Sequence, residues 1–145
     1  MDRFLEFTFR HWALSSTFVL LLAAFLVNEF RLRRFGVPGI GPLQATALMS
    51  HEDALVLDVR EDREVAQGRL PHAVHIPLGE LGRRIGELEP YRGRKIVVYC
   101  RSGHRSQRAA MQLRRHGFES VYNLDGGILA WEQANLPVTR GRKRK

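Results

Sequence analysis

The sequence is poor in cysteine, since Cys100 is the one cysteine among 145 residues. A single thiol excludes an intramolecular disulfide and a cysteine-rich zinc site, so a disulfide scaffold is ruled out. Internal repeats and low-complexity tracts are also lacking, and 44% of the residues are apolar, which argues against intrinsic disorder. The length accommodates one ordinary domain and little more.

Acidic residues are outnumbered, with 15 Asp and Glu against 23 Lys and Arg and a formal net charge of +8. Much of this excess lies in a basic tail, 139–145, that holds Arg140, Arg142, Lys143, Arg144 and Lys145. The tail has no interleaved aromatic residues and no recognisable nucleic-acid module, so we expect no nucleic-acid partner. Beside a cytoplasmic leaflet, such a cluster would bind anionic membrane lipid.

Charge is absent from Trp12 to Val27, and the apolar run extends to Phe30. A bilayer is crossed by roughly 20 mainly apolar helical residues, so we predict one transmembrane helix over 12–30, preceded by a flank, 1–11. A buried core helix is one alternative, but it usually carries a polar stripe. A cleaved signal peptide is another, but no small-x-small cleavage site follows the run.

Basic residues on either side of this segment set the expected topology. Arg31, Arg33 and Arg34 follow the span, whereas Arg3 and Arg10 precede it, which favours a cytoplasmic C-terminal side. A reactive thiol is also easier to keep reduced in the cytosol. We therefore predict a single-pass protein of the inner (cytoplasmic) membrane whose soluble part faces the cytoplasm.

A basic Gly/Pro-rich linker, 31–42, is predicted to follow, and then a domain over 43–138. Short apolar segments that predict strands alternate with segments that predict helices. The predicted strands are 54–58, 73–76, 95–99 and 120–123, and the predicted helices are 43–50, 61–67, 78–88, 106–116 and 127–134. This alternation indicates an α/β domain with a mainly parallel sheet. Ligands of such sheets lie beyond the carboxyl ends of the strands, where Asp58 and Cys100 are expected.

The segment Cys100-Arg101-Ser102-Gly103-His104-Arg105-Ser106 joins the clearest strand to a helix. Such a loop directs backbone N–H groups at one point and binds an anion there. If the Cys100 sulfur lies at that point, its thiolate is favoured and its pKa falls below about 8.5. Gly103 permits the tight curve, and Arg101 and Arg105 add positive charge at the rim. A lone cysteine after a strand is otherwise often a small core residue.

At these residues the sequence resembles the rhodanese-like family. The matching stretches, in the family's order, are LVLDVR (55–60), GRLPHAVHIP (68–77), CRSGHRS (100–106) and NLDGGILAW (123–131). The resemblance implies a three-layer rhodanese-like fold and a sulfurtransferase whose cysteine, Cys100, carries sulfane sulfur as a persulfide. With the N-terminal span, the layout is similar to small, single-domain, membrane-anchored bacterial rhodaneses.

The resemblance also implies roles for other residues. The loop from Arg101 to Arg105, which includes Ser102, Gly103 and His104, would bind the substrate and the persulfide. Asp58 would support that loop through hydrogen bonds, with Arg60 beside it. An alternative for Arg60 is a surface ion pair with Glu61, Asp62 or Glu64.

The expected partners are a small anionic sulfur donor, a thiol or protein acceptor of sulfur, and membrane lipid, and no cofactor is implied. The sequence departs from the family where Arg69 replaces the usual His and His72 the usual second Gly. Since the chain has no second cysteine, the sulfur must leave to another molecule.

Two other functions are consistent with parts of this pattern. A Cys-dependent phosphatase would place an arginine six positions after the cysteine, where this sequence has Ser106. A membrane-tethered rhodanese-like binding module would use the same fold without turnover. His72 and His75 are three residues apart, but no carboxylate or cysteine accompanies them, so we expect no metal site.

Overall fold

A computed structural model of the chain describes residues 3, 6, 7 and 10–140, without the side chains of residues 32–35. The predicted flank 1–11 is thus described in part, and residues 141–145 of the predicted basic tail lie outside the described residues. The chain divides into two compact units, Met1–Gly36 and Val37–Lys145.

The first unit contains one long apolar helix, α1 (Trp12–Phe35). Its stretch Trp12–Arg31 is 20 residues long, and none of its most apolar window is buried among the residues that the structure describes. At about 1.5 Å per residue this stretch spans about 30 Å, which matches the hydrocarbon thickness of a bilayer. Membrane anchors and signal sequences near an N-terminus share this length and composition.

The second unit alternates strands with helices, as the sequence predicts. Its elements are β1 (Gly39–Ile40), α2 (Pro42–His51), β2 (Leu55–Asp58), α3 (Asp62–Gln67), β3 (Val74–His75), α4 (Leu78–Arg84), a 3₁₀ helix (Ile85–Tyr91), β4 (Ile96–Tyr99), α5 (His104–Arg115), β5 (Val121–Leu124) and α6 (Gly127–Gln133). The strand order is β1-β5-β4-β2-β3, and all neighbouring strands are parallel. The predicted α/β class with a parallel sheet is therefore confirmed.

The sheet lies between two helical layers, so its strands have buried side chains on both faces. Leu55, Leu57, Ile96 and Val98 belong to one core, with residues of α4 and α5. The alternate strand residues, such as Val56, belong to a second core with residues of α2 and α6. Strands covered on both faces are apolar throughout, which explains the continuous apolar runs in the sequence.

Two local predictions were wrong. The predicted linker contains β1, whose residues Gly39 and Ile40 pair with Asn123 and Leu124 of β5. The single helix predicted over 78–88 ends as an α-helix at Arg84 and continues as a 3₁₀ helix. Pro90 lies within that 3₁₀ helix, and since proline lacks an N–H and restricts the preceding residue, it opposes a continuous α-helix.

Candidate active site

Cys100 lies at the carboxyl end of β4, the central strand of the sheet, directly before the loop that leads into α5. Its side chain is buried, with 1% of the residue's surface exposed. Because β2 and β5 flank β4 in parallel, their carboxyl ends bring Asp58 and Leu124 to the same edge of the sheet. The parallel topology therefore places the polar residues that follow these strands around one thiol.

Hydrogen-bond donors of the loop converge on the Cys100 sulfur. The Gly103 N–H donates to Sγ over 3.1 Å, and the Ser106 hydroxyl lies 3.4 Å from Sγ. Burial alone raises the pKa of the Cys100 thiol. Hydrogen bonding by Ser106, Gly103 and Ser102 outweighs burial and lowers that pKa below its ordinary value. The arrangement therefore favours the thiolate more than the surroundings of a free thiol do.

The start of α6 donates two backbone hydrogen bonds to Cys100 and its loop. The Ile128 N–H donates to the Cys100 carbonyl over 2.9 Å, and the Leu129 N–H donates to the Arg101 carbonyl over 3.3 Å. Gly127 makes this approach possible, because a Cβ at that position would lie 2.4 Å from the Cys100 carbonyl oxygen. Its φ of +58° also disfavours residues with a side chain. Backbone contacts therefore fix the loop in its curved conformation.

The Asp58 carboxylate is buried, and among the residues described it accepts hydrogen bonds from Arg60 and Tyr99, not from the Cys100 loop as we expected. Its carboxylate accepts bonds from the Arg60 N–H and guanidinium, one of them 2.7 Å long, and a 2.5 Å bond from the Tyr99 hydroxyl. The Tyr99 hydroxyl in turn accepts the Leu70 N–H over 3.1 Å. Asp58 thus supports the loop indirectly, through the strand residue that precedes Cys100.

Arg60 is 4% exposed, so the alternative of a surface ion pair is wrong. Besides Asp58, its guanidinium donates to the carbonyl of Gly68 over 2.7 Å. The guanidinium therefore connects the end of β2 with the residue that follows α3. Its ion pair with Asp58 and its hydrogen bond to Gly68 are both buried.

The two rim arginines differ. Arg105 forms two hydrogen bonds with the Glu64 carboxylate, of 2.7 and 2.8 Å, and this pairing lowers the pKa of Glu64 to about 2. Arg101 is exposed and has no ion pair within the described part of the chain. Glu64 therefore compensates much of the Arg105 charge, and Arg101 remains as the free cation of the rim. His104 is exposed at the first residue of α5.

Two open pockets flank the loop. One, of about 210 Å³, is lined by Arg60, Glu64, Arg101, Leu129 and Glu132 among others. The other, of about 270 Å³, is lined by residues of the loop and of β5, namely Ser102, Gly103, His104, Gln107, Asn123, Asp125 and Gly126. Both have room for a small anion or the end of an acceptor side chain. Within the residues the structure describes, no group of three or more His, Cys, Asp or Glu could hold a metal ion.

Asn123 and Tyr99 are site residues to which the sequence alone gave no role, and Ser106 and Glu64 were considered only as the position without a phosphatase arginine and as a possible ion-pair partner of Arg60. Ser106 is completely buried, and Asn123 is 5% exposed. Each is a polar residue within or directly beside a segment that reads as apolar or helical. Polarity at a predicted buried position is the signal by which Ser106, Asn123 and Tyr99 could have been found, whereas Glu64 is half-buried and gives no such signal.

Similarity to known proteins identifies the family to which the chain belongs. Residues 42–134 match the rhodanese-like domain, and the chain belongs to that family. An uncharacterized protein of Escherichia coli, YibN, is 32% identical over 143 residues, which cover 98% of this chain and all of that protein. A sulfurtransferase of Allochromatium vinosum is 41% identical over 91 residues, 63% of this chain and 83% of the relative.

Among solved structures, a thiosulfate sulfurtransferase of Pseudomonas aeruginosa superimposes with a TM-score of 0.68 and 25% identity. The match covers 80% of this chain and 22% of that one. The family and the relatives named as sulfurtransferases support a sulfur-transfer role for this chain.

Proposed function

We propose that the protein is a membrane-anchored sulfurtransferase that moves sulfane sulfur from thiosulfate to a thiophilic acceptor through a persulfide on Cys100. The observation that carries the proposal is the buried Sγ, which accepts the Gly103 N–H at the centre of a polar loop. A neutral core cysteine needs no such donors, whereas an anionic sulfur does.

In the first half-reaction the Cys100 thiolate attacks the outer sulfur of thiosulfate. The sulfur–sulfur bond of thiosulfate breaks, sulfite leaves with its electron pair, and a new sulfur–sulfur bond forms on Cys100. In the second half-reaction an acceptor thiolate, or cyanide in an assay, takes the terminal sulfur and the thiolate is restored. Backbone N–H groups of the loop stabilise the negative terminal sulfur, and Arg101 attracts the anionic donor.

Loop composition favours sulfur transfer over phosphate chemistry. The position six residues after Cys100 holds the buried Ser106, whose hydroxyl lies near Sγ, instead of an arginine that would clamp a phosphate. With Arg105 paired to Glu64, the site also lacks a second free guanidinium for three phosphate oxygens. The competing binding module without turnover would have no need of a stabilised thiolate.

The test is intact-mass analysis of the full chain in detergent after incubation with thiosulfate, beside the Cys100→Ser variant. We expect a gain of one sulfur atom on the natural sequence alone, removed by cyanide with release of thiocyanate. A folded protein that gains no sulfur, or a Cys100→Ser protein that gains as much, would contradict the proposal. Absence of sulfur gain would favour the binding module.

The proposed location is the inner membrane, with the domain in the cytoplasm. It is supported by the length and apolar character of Trp12–Arg31 and by the arginines that follow the span. Trypsin cleaves after arginine and lysine, so we expect it to remove the basic tail in inverted vesicles and to leave the tail in place in spheroplasts, where it reaches only the flank with Arg3 and Arg10. Loss of the basic tail in spheroplasts would reverse the topology, and a chain released from membranes by salt would exclude the anchor.

A further inference from the structure

The Ser106 hydroxyl lies between two groups that both attract its proton. Its Oγ is 3.4 Å from the Cys100 Sγ and 2.5 Å from Oδ1 of Asn123, a residue of β5. Ser106 and Asn123 are both buried, with 0% and 5% of their surface exposed. Water therefore has little access to either group, so the orientation of the Ser106 hydroxyl proton is set by the neighbouring protein groups.

The orientation of the Asn123 amide follows from its second contact. The Asn123 side chain also lies 3.3 Å from the Gly103 carbonyl oxygen, which accepts hydrogen bonds and cannot donate them. The amide NH₂ must therefore face Gly103, which leaves Oδ1 facing Ser106. Since Oδ1 is an acceptor as well, the 2.5 Å contact requires the Ser106 hydroxyl to donate to it.

A hydroxyl has one proton, so a Ser106 that donates to Asn123 cannot also donate to Cys100. Two oxygen atoms approach to 2.5 Å, as Oγ and Oδ1 do, only with a proton between them, whereas Oγ and the larger Sγ at 3.4 Å are in ordinary van der Waals contact. We propose that Asn123 is a positioning residue that holds the Ser106 hydroxyl proton away from Cys100, so that backbone N–H groups alone stabilise the thiolate.

The purpose of this arrangement rests on the proposed sulfur transfer. A thiolate loses intrinsic nucleophilicity as the pKa of its thiol falls, and the most effective attacking thiol has a pKa near the ambient pH. The backbone N–H groups of Ser106, Gly103 and Ser102 each contribute to lowering the pKa of Cys100. A further hydroxyl donor would lower it more and reduce the intrinsic nucleophilicity of the thiolate. Asn123 thus limits the stabilisation and preserves the intrinsic nucleophilicity of the Cys100 thiolate.

Other charged or titratable groups lie on each element that adjoins the Cys100 loop. They are Arg101, His104 and Arg105 on the loop and α5, Glu61 and Glu64 at α3, Asp58 and Arg60 after β2, and Asp125 after β5. Within the described residues none of them forms a hydrogen bond or ion pair with Ser106 or Asn123. We therefore expect their electrostatic effect on the Cys100 thiol to be the same in all variants of Ser106 and Asn123.

The experiment measures the rate of iodoacetamide alkylation of Cys100 against pH, using the full chain in detergent. Because Cys100 is the only cysteine in the sequence, the alkylation rate reports on one thiol. The variants are Asn123→Leu, which has a similar shape and no acceptor, Ser106→Ala, and the double variant. Tyr122→Phe on the same strand is the control for general effects of substitution in β5.

We expect Asn123→Leu to lower the midpoint of alkylation by about one pH unit, because the freed hydroxyl then donates to the thiolate. Ser106→Ala should leave the midpoint unchanged, because in the natural sequence the Ser106 hydroxyl donates its proton to Asn123 and not to the Cys100 sulfur. The double variant matches Ser106→Ala, and Tyr122→Phe matches the natural sequence.

Three results would overturn the inference: a midpoint that Asn123→Leu leaves unchanged or raises, a rise of about one unit in Ser106→Ala, or an equal shift by Asn123→Leu with and without Ser106. If Asn123→Leu does not fold, Asn123→Ala and the Ser106→Ala arm decide the question. Alkylation needs no sulfur donor, so these outcomes are independent of whether thiosulfate loads Cys100.

Discussion

Removal of the Tyr99 hydroxyl tests whether the buried network beneath the active-site loop stabilises the domain. The Tyr99 side chain is fully buried, and its hydroxyl donates to Asp58 and accepts the Leu70 N–H. The Arg60 guanidinium lies 5.4 Å from the centre of the Tyr99 ring. Since phenylalanine keeps the ring, Tyr99→Phe removes the hydroxyl and leaves this cation–π contact in place.

Two losses determine the size of the effect. The Leu70 N–H is left buried without its acceptor, which costs about 1–3 kcal/mol. Asp58 loses one charge-assisted hydrogen bond, of a kind that contributes about 1.5–3 kcal/mol, but keeps its bonds from Arg60. Because the two losses share one hydroxyl, we expect a combined decrease of about 3 kcal/mol in the free energy of unfolding.

Urea denaturation followed by far-UV circular dichroism measures this decrease. With a slope of about 1.5 kcal/mol per molar, the midpoint falls by about 2 M. Tyr122→Phe is the matched control, because Tyr122 is half-buried and its hydroxyl has no hydrogen bond within the described part of the chain. A decrease in midpoint below about 0.5 M, or one equal to that of the control, would refute the assigned role of the network.

Three further predictions concern the site. Arg105 lowers the pKa of Glu64 from 4.5 to about 2. The ion pair therefore makes its full contribution to the free energy of unfolding above pH 4.5, and this contribution is lost as the pH falls through about 2. Glu64→Gln should therefore cost about 1 kcal/mol in urea denaturation at pH 7, after allowance for solvent screening, and the difference should vanish near pH 2. The same variant frees the Arg105 charge beside Cys100, so thiosulfate should load about threefold faster at low salt and equally fast at 1 M salt. Gly127→Ala should lower stability by about 3 kcal/mol through its clash with the Cys100 carbonyl, whereas Gly86→Ala, with no atom within 4 Å of the added Cβ, should leave the urea midpoint nearly unchanged.

Local patterns were sufficient to predict most of the strands and the position of Cys100 at the end of one of them. The apolar run before Cys100 predicts a buried strand, and β4 (Ile96–Tyr99) lies within it. The polar, glycine-containing segment after Cys100 predicts a strand-to-helix loop, which the structure has. These features depend on residues near each other in the chain, so periodicity and composition are enough to find them.

The contacts that define the site chemically could not be predicted in this way. Glu64 and Arg105 are 41 residues apart, and Ser106 and Asn123 are 17 apart. Their proximity depends on the strand order, in which β4 lies between β2 and β5. Strand β1 was missed for the same reason, because its two residues are defined by their pairing with β5 and not by any apolar pattern of their own.

Both edges of the sheet are formed by strands of only two residues, β1 (Gly39–Ile40) and β3 (Val74–His75). Pro38 and Pro42 flank β1, and Pro77 follows β3 closely, so additional strand pairing is interrupted on each side. In the two-dimensional crowding of the membrane that we propose for this protein, neighbouring copies meet often. Edges this short present few unpaired backbone groups, which protects the domain against strand-to-strand aggregation.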